Sequence, residues 1–381
     1  MQNRKTLTAS AVARHWLRLG CIGFGGPPAH LQLLRELCVL DHEWLTEDEF
    51  SHAVAATSIL PGPASTQTAI YCAWVVGGPI GAVVGGLAFI LPGLLLIIAF
   101  AAVLLSSAPP LWLLGAAGGA GAVVPALALG TGRSLLEPML SERRSSGAGI
   151  WRLMSYLVAG GLATIFLGSW LVLVLLACGL IELLLQSQPR GPLSPFTGIG
   201  LLGVVAGLPA LVVTGLKVGL LSFGGGFVIV PLMRADALHH GWLTSSQFLD
   251  AVALGQLTPG PVVQTIAVVG YGAHGLGGAL LASAVAFAPS FLFVLIGGRA
   301  FTHIRSNPTA LSFLRGAGPA AIGAILGSSV LFAQGITEVW QWLILGIAAG
   351  WILVARKTPV LLLLAAAFAG GIGVGLGWLP H

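Results

Sequence analysis

Along this chain, long apolar runs are interrupted in two ways: by short polar connections, and by clusters of glycine and proline inside otherwise apolar sequence. Residues 79–107, 110–132, 198–222 and 359–379 each stay apolar over the roughly 20 residues that a helix needs to cross a bilayer. No stretch alternates apolar and polar positions with the period of a half-buried strand. The pattern predicts an all-α polytopic membrane protein. Its unusual part is the breaks. IGFGGPP stands at 22–28 and LPGPASTQ at 60–67, then SFGGG at 222–226 and TPGPVVQT at 258–265.

The breaks recur because the chain is duplicated. Placing Phe24 on Phe223 (223 − 24 = 199) also aligns Gly25-Gly26 with Gly224-Gly225, Arg18 with Lys217 and Arg35 with Arg234. One residue is then lost, and at an offset of 198 Trp44-Leu45-Thr46 falls on Trp242-Leu243-Thr244 and Pro61-Gly62-Pro63 on Pro259-Gly260-Pro261. Further on, Ala88-Phe89 and Pro92 resemble Ala286-Phe287 and Pro289. The halves, 1–188 and 196–381, meet at a Pro- and Ser-rich linker, QSQPRGPLSP at 186–195. Thr46 with Glu49, and Thr244 with Gln247, have capping-box spacing, so a helix should start after each threonine and run to the Pro-Gly-Pro.

Composition agrees with the pattern. The chain has 381 residues, 56% hydrophobic and 8% charged, where soluble domains carry about 25% charged residues. The net charge of +5 comes from Lys and Arg near helix ends, which set orientation, and implies no nucleic-acid partner. Cys21, Cys38, Cys72 and Cys178 lack metal-ligand spacing and read as small packed residues. Arg14 and Arg18 interrupt the segment where a signal peptide would be apolar.

The turn at 105–111 carries no Lys or Arg, and the next connection carries Arg133, Arg143, Arg144 and Arg152. In the second half the order is reversed: Arg299 and Arg305 come first, and the turn near 335–341 has none. By the positive-inside rule equivalent loops face opposite sides, so the halves read as inverted-topology repeats with broken helices at the GGP and PGP motifs. The linker's Arg190 weakly opposes this, and the number of full crossings in 11–77 and 198–275 stays open.

Non-helical backbone is tolerated at membrane depth only inside protein or along a cavity. Pro63, Pro261 and Pro27 are suited to start helices, whose unpaired N–H groups and partial positive charge favour an anion. Gly25, Gly26, Gly224, Gly225, Gly62 and Gly260 let an oxyanion approach the main chain, between Pro61, Pro63, Pro259 and Pro261. Ser65, Thr66, Gln67, Gln264 and Thr265 would add side-chain donors. Lys217 and Arg18, repeat-equivalent cations in apolar sequence, read as balancing a dianion, although Arg18 could instead snorkel to the cytoplasmic surface. Arg35 and Arg234 fit gates or topology anchors, and Asp250, aligned with His52, is the candidate protonatable carboxylate for coupling. His30, His52, His239, His240 and His274 could carry protons, but unpaired histidines read first as helix-end or packed residues.

With these residues assembled, the chain resembles the chromate ion transporter family in its long, two-half form. The resemblance rests on the FGGP-like segments at 23–27 and 222–226, the W-L-x-x-x-x-F segments and both PGP motifs, and it covers essentially the whole chain. It implies a multi-pass plasma-membrane antiporter that exports chromate with the proton gradient and conveys chromate resistance, with sulfate as a competing oxyanion. Two positions depart from it, Gly23 where a serine often stands and Gly226 in place of a proline. The partners expected are an oxyanion, protons and lipid, with room for a homodimer and no cofactor or metal. A passive anion channel, and a carrier whose main substrate is sulfate or another anion, remain open. An intramembrane enzyme lacks a Ser/His/Asp set or a carboxylate pair.

Overall fold

A computed structural model describes residues 7–60, 62–146, 149–186, 209–222, 228–297, 308–355 and 359–380. The linker at 186–195 beyond Gln186, and Arg299 and Arg305, lie outside the described residues.

The first half contains α1 (Ala9–Ile22), α2 (Pro27–Arg35), a π-helical turn (Glu36–Asp41), α3 (Glu47–Ile59), α4 (Ala64–Leu104), α5 (Leu111–Gly121), α6 (Val124–Ser146), α7 (Ile150–Phe166) and α8 (Leu171–Gln186). The second contains α9 (Ala210–Leu221), α10 (Ile229–His239), α11 (Ser245–Leu257), a 3-10 turn (Val262–Gln264), α12 (Thr265–Gly297), α13 (Pro308–Ala333), α14 (Val339–Ala355) and α15 (Pro359–Gly375). The described residues contain no strand. Both predicted capping boxes form, with Thr46 and Glu49 closing the start of α3 and Thr244 and Gln247 that of α11.

Neither α4 nor α12 is a single rod. In a straight helix Ile70 and Gly86 would stand roughly 24 Å apart, yet a β-carbon on Gly86 would lie 2.8 Å from the Ile70 side chain. The chain folds back at Gly78, where φ is 64° and ψ −161°. The second half does the same at Gly275, with φ 59° and ψ −148°; a β-carbon on Gly270 would meet the Gly278 carbonyl at 2.3 Å. Positive φ suits glycine, which has no β-carbon to clash.

The Pro-Gly-Pro segments reverse the chain too. Thr57 Oγ1 and Thr68 Oγ1 are 2.7 Å apart, and a β-carbon on Gly255 would stand 2.1 Å from Thr265 Oγ1. The sequence predicts helices that break and restart; the structure turns each break into the tip of a hairpin, because Gly62 and Gly260 take φ of 123° and 107°. The arm at 64–77 spans roughly 21 Å at 1.5 Å per residue, less than the roughly 30 Å of hydrocarbon, so the hairpin of α3 and this arm enters without crossing. The arm at 79–104 is long enough to cross, and Ile80, Leu91 and Leu95 stand exposed along it as a lipid-facing surface.

Equivalent contacts repeat across the halves. The His42 and Trp44 rings stack at 4.4 Å and those of His240 and Trp242 at 4.7 Å. A β-carbon on Gly20 would meet the Phe89 carbonyl at 2.6 Å, and one on Gly219 the Ala286 carbonyl at 2.4 Å. That places Phe89 on Ala286 (286 − 89 = 197), the offset that also relates Gln67 to Gln264, Gly78 to Gly275 and Pro92 to Pro289. The sequence match of Ala88-Phe89 with Ala286-Phe287 is therefore one residue out of register.

The halves interlock through small residues, which let helix backbones approach closely in lipid. Gly115 and Gly119 of α5 face Gly370 and Ala366 of α15, and Gly160 and Gly161 of α7 face Ala320, Gly323 and Gly327 of α13. The two arms 79–104 and 276–297 pack where the halves meet, with Gly86 against Phe291.

Candidate functional site

The site is built from the hairpin tips. Pro63 caps the first turn of α4 and Pro261 that of the 3-10 turn, and neither start has a side-chain cap. Gln67 N–H bonds back to the Pro63 carbonyl and Gln264 N–H to that of Pro261. The intervening N–H groups, of Ala64, Ser65 and Thr66 and of Val262 and Val263, are the helix-start donors that the helix itself does not use. α2 opens on Pro27 with Gly26 before it at φ 74°. A shallow, partly open cleft is lined by Pro27, by Pro63 to Ser65 and by Pro261 to Val263. Three of the four expected helix starts therefore converge there. The fourth, after Gly224 and Gly225, lies outside the described residues, as does Pro61.

Each tip is seated on the other half. Gly260 N–H donates to the Gly23 carbonyl at 2.8 Å. The Gln264 amide donates to the Ile90 carbonyl at 2.9 Å, and a β-carbon on Gly93 would stand 1.8 Å from the Pro259 carbonyl. Conversely, Ser290 Oγ lies 3.2 Å from where Gly62 would carry a β-carbon. Gly93 and Ser290 are repeat equivalents (290 − 93 = 197). The amides of Gln67 and Gln264 come within 2.3 and 2.8 Å of the β-carbon positions of Gly62 and Gly260, so both glycines are required.

Ser65 is buried and bonds His30 Nδ1 at 3.3 Å. Thr66 Oγ1, Gln264 Oε1, Ser290 Oγ and Ser222 Oγ are buried without hydrogen-bond partners, an expensive condition unless something else satisfies them. Thr265 is used locally, donating to the Val262 carbonyl at 2.9 Å. Gly25, at φ 99°, leads into Gly26 and α2.

The predicted cations are elsewhere. Arg18 is exposed on α1, beside exposed Leu17 and Ile22. Lys217 Nζ pairs with Asp236 Oδ2 at 3.0 Å, and Asp236 also accepts from Thr214 at 2.8 Å. Arg35 pairs with Glu47 at 2.8 Å, and Arg234 donates to Ser245 Oγ at 2.9 Å. These two are equivalent ties from α2 and α10 to the starts of α3 and α11. His52 is exposed, while Asp250 is buried on α11 with its carboxylate 3.2 Å from the β-carbon position of Gly121. Among the described residues, no charged side chain lines the space. The field there comes from the helix starts, each worth roughly +0.5 elementary charge.

From the sequence, His30 is one of several histidines that could carry protons and reads first as a packed residue. It is buried, with Nε2 2.9 Å from the Gly23 carbonyl. A β-carbon on Gly23 would come within 3.2 Å of that nitrogen, which explains why glycine stands at 23. The available signal was a paired exchange between halves: Gly23 with His30 in the first, Ser222 with Ile229 in the second.

The model of a family described as chromate transporter matches residues 10–183 and 209–372, one stretch in each half. A probable chromate transport protein of Synechococcus elongatus is 30% identical over 378 residues, covering 95% of this chain and 94% of the relative. A chromate transport protein of Cupriavidus metallidurans is 31% identical over 342 residues, covering 86% and 84%. One from Pseudomonas aeruginosa is 31% identical over 378 residues, covering 93% and 90%. No solved structure matches this chain. With both halves matched and all-helical, this multi-pass membrane protein belongs to the chromate transporter family, a family of transporters and not of enzymes.

Proposed function

We propose that the chain is an alternating-access carrier that exports chromate across the plasma membrane, coupled to the proton gradient, with sulfate-like oxyanions as competitors. The observation that carries this reading is the convergence of two helix starts, one from each half, whose uncapped N–H groups at 64–66 and 262–263 face one space that Pro27 of α2 also lines. Main-chain donors fixed at helix starts suit a tetrahedral oxyanion, whose oxygens accept from several directions. Chromate transport, the function of the relatives, supplies the substrate.

The opposed arginine patterns of the two halves favour inverted repeats. Rocking of one half against the other would then expose the space to each side in turn. Binding is assigned to the N–H groups at 64–66 and 262–263 with the Ser65 and Thr66 hydroxyls. Asp250 is the carboxylate best placed for coupling, buried where α11 meets the end of α5.

Flux of labelled chromate and sulfate into proteoliposomes, with and without an imposed pH gradient, tests this. Saturable chromate flux that sulfate inhibits and the gradient drives is expected. Flux that follows voltage without a proton requirement would make the chain a channel. Failure of both anions to move or compete would remove the oxyanion reading.

A further inference from the structure

The bond from His30 Nε2 to the Gly23 carbonyl, at 2.9 Å, fixes a tautomer. A carbonyl only accepts, so Nε2 carries the proton and, in the neutral ring, Nδ1 is bare. Nδ1 then has one thing to offer Ser65 at 3.3 Å, a lone pair, and the Ser65 hydroxyl must donate to it. In that state Ser65 lines the space with its oxygen lone pairs, which repel an anion. A proton on Nδ1 reverses the bond: Nδ1–H donates to Ser65 Oγ, and the hydroxyl hydrogen is free to turn into the space.

Charge points the same way. Three helix starts sum to roughly +1.5 elementary charges, short of the two on a sulfate-like dianion, and among the described residues no charged side chain lines the space. A proton on His30 adds a full charge, more than that difference.

We propose that His30 is the proton-binding member of the oxyanion site, so that anion and proton bind together through the Ser65 hydroxyl. This rests on the oxyanion reading given above. The step forms one N–H bond, at Nδ1, with the proton drawn from water; the Nε2 proton and the bond to Gly23 stay. The elements around α2 offer few competing charges. On α4, Ser65 faces the ring by hydrogen bond and Phe89 edge-on at 5.2 Å. Cys72 and Tyr71 lie farther along that arm, and Arg14, Arg18 and Cys21 of α1 are exposed. Within α2 and the π-helical turn, Arg35 is held by Glu47 and Glu36 accepts from Gln32. The second-half tip, from Pro259 to Gln264, has no titratable residue. His30 is a positioning residue, acting on the anion through Ser65.

The test is equilibrium binding of labelled sulfate, which stays a dianion throughout, to the full chain in lipid nanodiscs between about pH 5 and 8, where histidine titrates. Chromate, which itself takes up a proton in that range, is measured as the competing anion. Affinity should rise as pH falls, by up to about tenfold per pH unit for one linked proton. In weak buffer, sulfate addition should take up as much as one proton per sulfate bound. His30→Gln should bind with flat pH dependence and no proton uptake. Ser65→Ala keeps His30 and its bond to Gly23; it should lose affinity at low pH and bind no worse than the wild type at high pH. Flat wild-type binding, or proton uptake that survives in His30→Gln, overturns the proposal. So does wild-type behaviour of Ser65→Ala at every pH, which decides the matter if His30→Gln does not fold. Absence of binding by both anions at every pH instead overturns the oxyanion reading beneath it.

Discussion

Gly260 donates its backbone N–H to the carbonyl of Gly23 across 2.8 Å, joining the hairpin tip of the second half to the glycine break of the first. The same carbonyl accepts from His30 at 2.9 Å. One oxygen atom therefore couples the position of a helix start to the orientation of the imidazole beside it. This contact holds only while Gly260 keeps φ 107° and leaves room for the Gln264 amide.

Gly260→Ala should for that reason cost about 1–3 kcal/mol in backbone strain and displace the tip. A lower thermal midpoint of the purified protein, together with reduced flux, is the expected result. Gly346→Ala is the control. No heavy atom lies within 4 Å of its added methyl, and alanine suits a helix interior, so its midpoint should hold or rise. Equal effects of the two substitutions would mean that the tip is not held as described.

Lys217 and Asp236 call for a paired experiment. Asp236 is 6% exposed, so Lys217→Ala leaves a nearly buried carboxylate without its cation, which typically costs 3–5 kcal/mol. Loss of flux in that single variant would report on folding as much as on the anion. Lys217→Met combined with Asp236→Asn removes both charges and keeps a partner for Thr214. Because neither residue lines the space, the double variant should recover stability and carry flux within about threefold of wild type. Recovered stability with flux still absent would return Lys217 to the site as the cation first read from the sequence.

The duplication, the two capping boxes and the three breaks that fall on described residues were legible because each is a local signal, a fixed residue type at a fixed spacing. Direction was not. Whether a Pro-Gly-Pro restarts a helix or reverses it depends on φ at Gly62 and Gly260, and nothing in the flanking apolar sequence encodes that angle. The reversals at Gly78 and Gly275 were hidden for a related reason: apolar composition continues through them, so 64–104 reads as one run. The partner of Lys217 escaped notice because the first half places Leu37 at the position of Asp236 (236 − 199 = 37), leaving no repeated carboxylate to find. Arg18 accordingly has no such partner at the equivalent position, and it sits on the outer face of α1.

The tie between Arg35 and Glu47 is a prediction of small effect. Arg35 Nε contacts both carboxylate oxygens, at 2.8 and 3.0 Å, and both side chains are about half exposed. The Arg35 hydrogen bond, with its charge, holds the Glu47 carboxyl below its usual range. A depressed carboxyl contributes stability above its unfolded-state value and loses it as pH falls through the folded one. Any difference in thermal midpoint between wild type and Glu47→Gln should therefore vanish in acid, and flux should not change. A clear drop in flux for Arg35→Ala at neutral pH would reinstate a gate.

The buried carboxylate of Glu182 makes the last prediction, because it lies in the seam between the halves and away from the space. It is fully buried on α8, accepts from Tyr156 Oη at 3.0 Å and stands 3.4 Å from Arg152 Nη1, both on α7. Gln186 donates to it and in turn accepts from Ser312 at 3.0 Å and Arg315 at 3.3 Å, on α13. Close packing brings the network together, since a β-carbon on Gly316 would meet the Cys178 carbonyl at 2.1 Å. Tyr156→Phe removes one hydrogen bond to a charged group, a change of about 1.5–3 kcal/mol. In a Glu182→Leu background the tyrosine has no carboxylate to serve, so the same substitution should cost far less there. Thermal midpoints of the four proteins give the coupling directly, and additive effects would show that Tyr156 acts through packing alone. Flux normalised to folded protein should be equal in all four, which separates a staple between halves from a residue on the transport path.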